Sequence, residues 1–213
     1  MGMQEHGRQS RKETIRPIVA FDFDGTLTVR DSFNAFLRWR VPAWAFEAGL
    51  IHMSPYLIGY LFNRDRGKLK ARAVREFLAG RSVDEIGIEA EGFCDAVWDR
   101  FMRPDALAKW EEWREKGALL AIVTASPDLT VAPFARRLNA DVLLGTRLKV
   151  DAAGVIQGPL EGENCRAGEK VTRLRAHFGE DVRLAAAYGD TSGDTEMLAI
   201  ADEPGFRVFT GRP

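Results

Sequence analysis

Asp22 and Asp24 stand two residues apart in Asp22-Phe23-Asp24-Gly25-Thr26, directly after the apolar run Ile18-Val19-Ala20-Phe21. In a chain still partly extended, residues i and i+2 face the same way, so this spacing delivers both carboxylates to one side. Gly25 lets the backbone turn sharply behind them. Like charges held that close persist where a cation lies between them or where one carries a proton, and both states are useful in catalysis. The same residues also admit a plainer reading, a strand followed by an Asp-Gly turn that caps a helix.

Three further groups have types and positions that complement this pair. Asp190 and Asp194 lie in Gly189-Asp190-Thr191-Ser192-Gly193-Asp194, immediately after the apolar stretch Arg183 to Tyr188. Thr124 follows the apolar run Ala118 to Val123, and Lys170 opens the helical pattern Gly168-Glu169-Lys170. Asp22, Asp24 and Asp190 offer hard oxygen ligands, and Mg²⁺ takes only one to a few of these beside water and substrate phosphate. Thr124 offers a hydroxyl, the amides after it open a helix and can meet an anion, and Lys170 adds a positive charge. Taken singly, a Thr after a strand caps and a Lys at a helix start is solvated. All of them fall at strand ends, and parallel strands of an α/β sheet bring such ends to one edge.

The elements that must position these groups follow from periodicity. Ile18 to Phe21, Ala118 to Val123 and Arg183 to Tyr188 are short unbroken apolar runs, the pattern of strands buried on both faces of a doubly wound parallel sheet. Helices are predicted from Pro104-Asp105 to Gly117, from about Pro127, from Gly168, and after Asp194 through Ile200. Asp141 to Leu144 and Arg147 to Val150 read as short strands, with a turn at Asp151-Ala152-Ala153-Gly154 before Val155-Ile156, and Phe206 to Phe209 is expected to close the sheet. Between the first strand and Met102 everything reads as helix: Asp31-Ser32 makes an N-cap, Leu69, Ala73 and Phe77 recur at i, i+4 and i+8, and Gly80 and Ser82 separate two helices as stop and N-cap. The expected organisation is therefore a loose tail over residues 1–16, an α/β core formed by 17–28 and 104–213, and a helical segment, 29–103, inserted after the first strand.

Composition narrows the function classes. Thirty basic against 31 acidic residues in 213 give a net charge of −1, which makes no global case for nucleic acid as a partner. Cys94 and Cys165 are far apart and lie in no metal-binding spacing, so neither a disulfide framework nor a zinc site is expected and a cytoplasmic setting fits. Residues 1–16 are polar and lack the apolar core of a signal peptide. The odd stretch is Val41 to Phe62, which carries only Glu47 and His52 as ionisable groups besides its tyrosines. It approaches the length that crosses a bilayer, but a single crossing would separate Asp22 from the rest of the sheet, and Pro42 and Pro55 are expected to break it into a buried helix pair or into a surface touching lipid or an apolar substrate. The basic run that follows, Arg64, Arg66, Lys68, Lys70, Arg72 and Arg75, reads either as a solvated helix face or as a partner for anionic headgroups.

With these residues in hand, the chain resembles the haloacid dehalogenase superfamily over residues 17 to about 209. The four motifs of that superfamily are matched by Asp22-Phe23-Asp24-Gly25-Thr26, by Ile122-Val123-Thr124-Ala125-Ser126, by Lys170, and by Gly189-Asp190 with Asp194. The helical insertion is similar to the superfamily's C1-type cap. Ala125-Ser126-Pro127, Asn164-Cys165-x-x-Gly168-Glu169-Lys170 and Tyr188-Gly189-Asp190-Thr191 resemble the phosphoserine phosphatase-like subfamily, which also holds the phosphatidylglycerophosphatase C type enzymes.

The resemblance implies a phosphomonoester hydrolase in which Asp22 is the nucleophile and Asp24 the general acid and base. It implies Mg²⁺ held by the Asp22 side chain, the Asp24 carbonyl and Asp190, with Asp194 behind them, and phosphoryl oxygens neutralised by Thr124, the Ala125 amide and Lys170. An acid at position 24 favours an ester over a halide, because an alkoxide leaving group needs a proton. Phosphotransfer and non-catalytic phosphate or lipid-surface binding remain open alternatives. Asp31 falls where the phosphoserine phosphatases place a glutamate that reads the substrate amine, although it also suits a plain helix cap. The apolar stretch and the basic run, with Arg72 and Arg75 as candidate substrate contacts, favour a lipid phosphate or other bulky phosphomonoester over phosphoserine, with possible peripheral contact at a membrane.

Overall fold

The structure is a computed structural model that describes residues 16–63 and 66–213. The expected tail up to residue 15, and Arg64 and Asp65 of the basic run, lie outside the described residues. Five parallel strands form the central sheet: β1 (Ile18–Phe21), β2 (Leu119–Pro127), β3 (Val142–Thr146), β6 (Leu184–Gly189) and β7 (Ala201–Phe206), in the order β3-β2-β1-β6-β7. β4 (Leu148–Val150) and β5 (Ile156–Leu160) pair separately as an antiparallel hairpin.

β1 sits at the centre because it is apolar on both faces. Val19 and Phe21 join one buried cluster with Leu120, Ile122, Trp110 of α5 (Pro104–Glu115) and Val131 of α6 (Asp128–Arg137). Ala20 joins the opposite cluster with Ala121, Val123, Ala187 and Leu174 of α7 (Gly168–Phe178). That second face is built largely from alanine and valine, and small residues there let α7 approach closely. Met197 of α8 (Thr195–Ala199) fills the rest of it.

The helical insertion consists of α1 (Ser32–Arg40), α2 (Ala43–Asn63), α3 (Arg66–Phe77) and α4 (Val83–Phe101). The chain leaves the sheet and returns to it through adjoining segments: the Val29 amide donates to the Phe101 carbonyl at 2.9 Å, and the Arg103 amide to the Leu27 carbonyl at 2.8 Å. Phe134 of α6 fastens the insertion to the sheet side, its ring meeting Phe23 at 5.3 Å, Phe93 at 5.9 Å and Phe101 at 6.1 Å between centroids. Ser82 caps α4 by accepting from the Glu85 amide at 3.1 Å, and Gly80 takes a left-handed φ of 81° in the turn before it.

Four local expectations are corrected. The apolar stretch is one helix: α2 runs from Ala43 to Asn63 with Pro55 inside it, because burial of Phe46, Gly49 and Met53 against the neighbouring helices outweighs the lost amide. The Phe46 ring stacks on Phe77 at 5.4 Å, and a side chain at Gly49 would overlap Phe77. Next, β2 does not stop at Val123 but continues to Pro127, with an irregularity in its pairing to β3 between those two residues. The last strand is Ala201–Phe206 and not Phe206 to Phe209, and the helix before it ends at Ala199. Full burial here falls one position past the expected Ala73 and Phe77, on Val74 and on Leu78 just after α3, while Ala73 and Phe77 are partly buried and pack against the same core. Among the described residues no helix is long and apolar enough to cross a membrane.

Candidate active site

The site forms at the C-terminal edge of the central strands. β1 ends at Phe21, and the Asp22 amide donates to the Tyr188 carbonyl of β6 at 2.8 Å, which holds the start of the loop against the sheet. Residues Phe23–Leu27 then close a single wide turn, with Gly25 at a left-handed φ of 83°. A side chain at Gly25 would also overlap the Asp190 carboxylate, so both the conformation and the space require glycine. Arg103, at the return from the insertion, braces this turn by donating to the Gly25 carbonyl at 3.1 Å and the Thr28 carbonyl at 3.2 Å.

Lys170 is 1% exposed and lies between two carboxylates, 2.5 Å from Asp22 Oδ1 and 2.7 Å from Asp194 Oδ1. Its placement follows from α7. Leu174, one helical turn on, packs in the cluster of Ala20, and four residues of helix match the rise of two residues of strand, which brings Lys170 beside Asp22. The paired carboxylates hold the ammonium well above its ordinary lysine value despite burial. Burial pushes the Asp22 carboxyl up to about 7, against the pull of Lys170 and with the push of Asp194 and Asp24. Asp194 is held below the usual carboxylate range, since Lys170 and the Thr191 amide and hydroxyl outweigh its burial.

Asp194 spends both oxygens within the protein. Oδ1 takes Lys170, and Oδ2 accepts from the Asp190 amide at 3.2 Å, the Thr191 amide at 2.9 Å and the Thr191 hydroxyl at 3.1 Å. Asp190 is the opposite case: its Oδ1 is buried and has no hydrogen-bond partner. Burial raises this carboxyl too. Ligand oxygens of Asp22, Asp190 and Asp194 all lie within 4.8 Å of one another. A buried carboxylate oxygen without a donor, facing two more carboxylates, fits a hard cation such as Mg²⁺.

Asp24 is held from two sides. Its Oδ1 accepts from the Ser32 amide at 2.6 Å, and its Oδ2 from the Ser126 hydroxyl at 2.5 Å. Thr124 is fully buried, and its Oγ1 accepts from the Ser126 amide at 3.0 Å, which leaves its own hydroxyl proton for another acceptor. The Ala125 carbonyl accepts from the Thr146 hydroxyl at 2.7 Å and also from the Lys70 ammonium.

These groups open on a cavity of about 610 Å³ between the sheet edge and the insertion. Asp22, Asp24, Ala125, Lys170, Asp190 and Asp194 line its floor, and Leu50, Met53 and Leu69 its opposite wall. Asp31 is at the rim, where its carboxylate caps α1 by accepting from the Asn34 amide at 2.7 Å. Arg72 and Arg75 are not among the lining residues. Arg72 pairs with Glu76 at 3.0 Å and lies over the Tyr56 ring, while Arg75 is exposed and packs beside Gly158. Among the described residues of the basic run, Lys70 lines the cavity, and burial holds its ammonium below the ordinary lysine value. Its signal was present in the sequence, since Lys70 continues the Val74 and Leu78 stripe at i−4 and i−8. Ser126 lay within one of the motifs and Ser32 within the expected helix cap, but neither they nor Arg103 were expected to contact Asp24 or its turn; the fold brings them there.

Residues 19–199 match the family model for haloacid dehalogenase-like hydrolases. The chain is 63% identical over 197 residues to Protein CicA of Caulobacter vibrioides, covering 92% of this chain and 88% of the relative. It is 29% identical over 142 residues to phosphoserine phosphatase SerB1 of Mycobacterium tuberculosis, covering 63% of this chain and 43% of that protein. Among solved structures, a Bordetella pertussis Tohama I protein of unknown function superposes with a TM-score of 0.72 at 24% identity, over 89% of this chain and 88% of the other. A substrate-bound phosphoserine phosphatase complex superposes with a TM-score of 0.60 at 19% identity, over 91% and 87%, a likeness of fold.

Proposed function

Since the chain belongs to the haloacid dehalogenase-like hydrolases, we propose that it is a Mg²⁺-dependent phosphomonoester phosphatase working through an aspartyl-phosphate on Asp22. The observation that carries this reading is the division of labour between Asp22 and Asp24: one carboxylate faces a buried ammonium, the other two neutral donors. Asp22 Oδ2 has a long contact from the Thr26 hydroxyl, at 3.5 Å, which supports it as the oxygen that attacks phosphorus. As the new P–O bond forms, the ester P–O bond breaks, and Asp24 gives its proton to the leaving alkoxide. A water then attacks the aspartyl-phosphate, loses its proton to Asp24, and frees Asp22 and inorganic phosphate. Lys170, the Thr124 hydroxyl and the Ala125 amide stabilise the charge on the phosphoryl oxygens, contributions of a few kcal/mol each. Mg²⁺, when bound, would be held by Asp22, the Asp24 carbonyl and Asp190 with Asp194 behind them, and would supply further positive charge beside the phosphoryl group.

The substrate we favour has an apolar body and an additional negative charge, as a lipid phosphate does. A cavity of about 610 Å³ is at the scale of drug-sized ligands, and Leu50, Met53 and Leu69 give it an apolar wall beside the polar groups Asp31 and Asn34. In this reading Lys70, which lines the cavity, reads the second anionic group. Phosphoserine is the second reading, supported by Asp31 at the cavity rim. The test is phosphate release, with no added acceptor, from phosphoserine and from a lysophosphatidic acid. Higher kcat/KM for the lysophospholipid supports the first reading, higher kcat/KM for phosphoserine the second, and no release from any phosphomonoester refutes both.

A further inference from the structure

We propose that Ser126, together with the backbone amide of Ser32, is what orients Asp24 for its proton transfers, so that the helical insertion itself completes the acid–base site. The proposal rests on the phosphatase reading above and concerns how its acid is aimed. An aspartate on a turn has two free side-chain torsions, and a displacement of about 1 Å can cost about a hundredfold in rate. Here the carboxylate is gripped by one donor on each oxygen, and the two donors come from different parts of the molecule. Ser126 projects from the end of β2, and Ser32 is the first residue of α1. Both are almost wholly buried, at 1% and 2% exposure, so water does not compete for the carboxylate from their side.

Each donor is itself fixed. The Ser126 amide is tied to Thr124 Oγ1, and its hydroxyl stands 3.4 Å from Ser32 Oγ. At the start of α1 the free amides are shared between two acids: Asp31 takes that of Asn34, and Asp24 reaches across from the β1 loop to take that of Ser32. Asp24 thus serves as a helix-terminal acceptor for the insertion and as the acid of the core at once. Displacing α1 would release Oδ1 and leave the carboxylate on Ser126 alone.

The test uses leaving-group dependence, because a misaimed acid matters for an alkoxide and hardly matters for p-nitrophenolate. The readout is kcat/KM, which reports the first phosphoryl transfer, for an alkyl phosphate and for p-nitrophenyl phosphate. In Ser126→Ala the alkyl phosphate should lose about tenfold to a hundredfold and p-nitrophenyl phosphate about threefold or less. Asp24→Asn sets the reference by showing the same contrast more strongly, and Ser126→Thr, which keeps a hydroxyl, should recover to within about threefold of the parent.

A second pair of variants isolates the insertion's amide. Proline suits the first position of a helix, and Asp31, at φ −57° and ψ 119°, already has the conformation that a following proline demands. Ser32→Pro deletes the amide hydrogen, whereas Ser32→Ala keeps it. The proline variant should lose about tenfold more than the alanine variant on the alkyl phosphate. If Ser126→Ala fails to fold, this pair decides. Equal losses on both substrates, or no loss, in a panel where Asp24→Asn discriminates, would overturn the proposal. If Asp24→Asn does not discriminate, the acid role itself is wrong, and the proposal falls with it.

Discussion

Replacing Lys170 with methionine keeps the length of the side chain and removes its charge, which leaves Asp22 and Asp194 facing each other in a site that water barely reaches. The ammonium is 1% exposed and lies 2.5 Å and 2.7 Å from the two carboxylate oxygens. With an effective dielectric of about 20, each such contact is worth about 6 kcal/mol of Coulomb energy, most of it offset by desolvation. Removing one partner of a buried pair costs about 3 to 5 kcal/mol, because the other charge is left uncompensated.

The sign with pH follows from the two carboxyls. In the parent, Asp194 is depressed, so it contributes stability above its unfolded pKa that is lost as pH falls through the folded value. Asp22, already raised to about 7 by burial, takes stability away between its unfolded pKa and about pH 7, and losing the ammonium raises it further. In the variant both carboxyls would be raised, which takes stability away as pH climbs past their unfolded pKa. The deficit should therefore be about 3 to 5 kcal/mol near pH 8 and smaller by at least about 1 kcal/mol near pH 5, where protons partly replace the ammonium. Urea unfolding of both proteins in chelator, extrapolated to zero denaturant, measures it. A loss under about 1 kcal/mol at pH 8, or an equal loss at both pH values, would show that the ammonium is not the counter-charge described here.

Three shorter predictions accompany this one. Asp22→Asn should reduce phosphate release by at least about a thousandfold while circular dichroism stays near the parent's, since it removes the proposed nucleophile and almost no volume and Lys170 keeps Asp194 as its partner. Because burial holds Asp22 up to about 7, a proton competes with a cation for the same oxygens, so the thermal shift produced by Mg²⁺ should grow between about pH 5.5 and about pH 8 and vanish with chelator. Lys70→Ala should raise KM for a lysophosphatidic acid by about tenfold or more, whereas Arg72→Ala/Arg75→Ala should change it less than about twofold; the reverse ranking would return the substrate contact to the arginines.

The parallel strands that carry the site were legible because each is a short unbroken apolar run ending in polar residues, and only a strand buried on both faces is written that way. Asp22, Asp190 and Lys170 follow at once, since parallel strands and the helix starts that succeed them meet at one edge. The strand Ala201–Phe206 was missed for the complementary reason. It is an edge strand, paired only to β6, so Asp202 and Glu203 can face solvent and Pro204 can forgo its amide, and no apolar pattern is left to read. In α3, Ala73 and Val74 are adjacent, so the inward face is wider than one stripe: Leu69 and Ala73 line the cavity beside Lys70 while Val74 is fully buried, and only the packing shows this. Pro55 misled because a local propensity was set against burial on a helix whose partner was unknown. Ser126 and the Ser32 amide lie 102 and 8 residues from Asp24, and hydroxyls and amides of this kind occur too often for spacing to single them out.

The central position of β1 also has a meaning in time. Its neighbours on the two sides are β2 and β6, the second of which places Ala186 opposite Val19, and the lysine that faces Asp22 is 148 positions further along the chain. At about 5 to 20 residues per second, a ribosome would need about 7 to 30 s to cover that distance. Throughout that interval the most apolar strand of the protein has a free edge, and Asp22 has no ammonium to face. The strand at the centre of the sheet is thus made well before one of its two neighbours, and the surroundings of Asp22 are complete only once the chain has been made through β6.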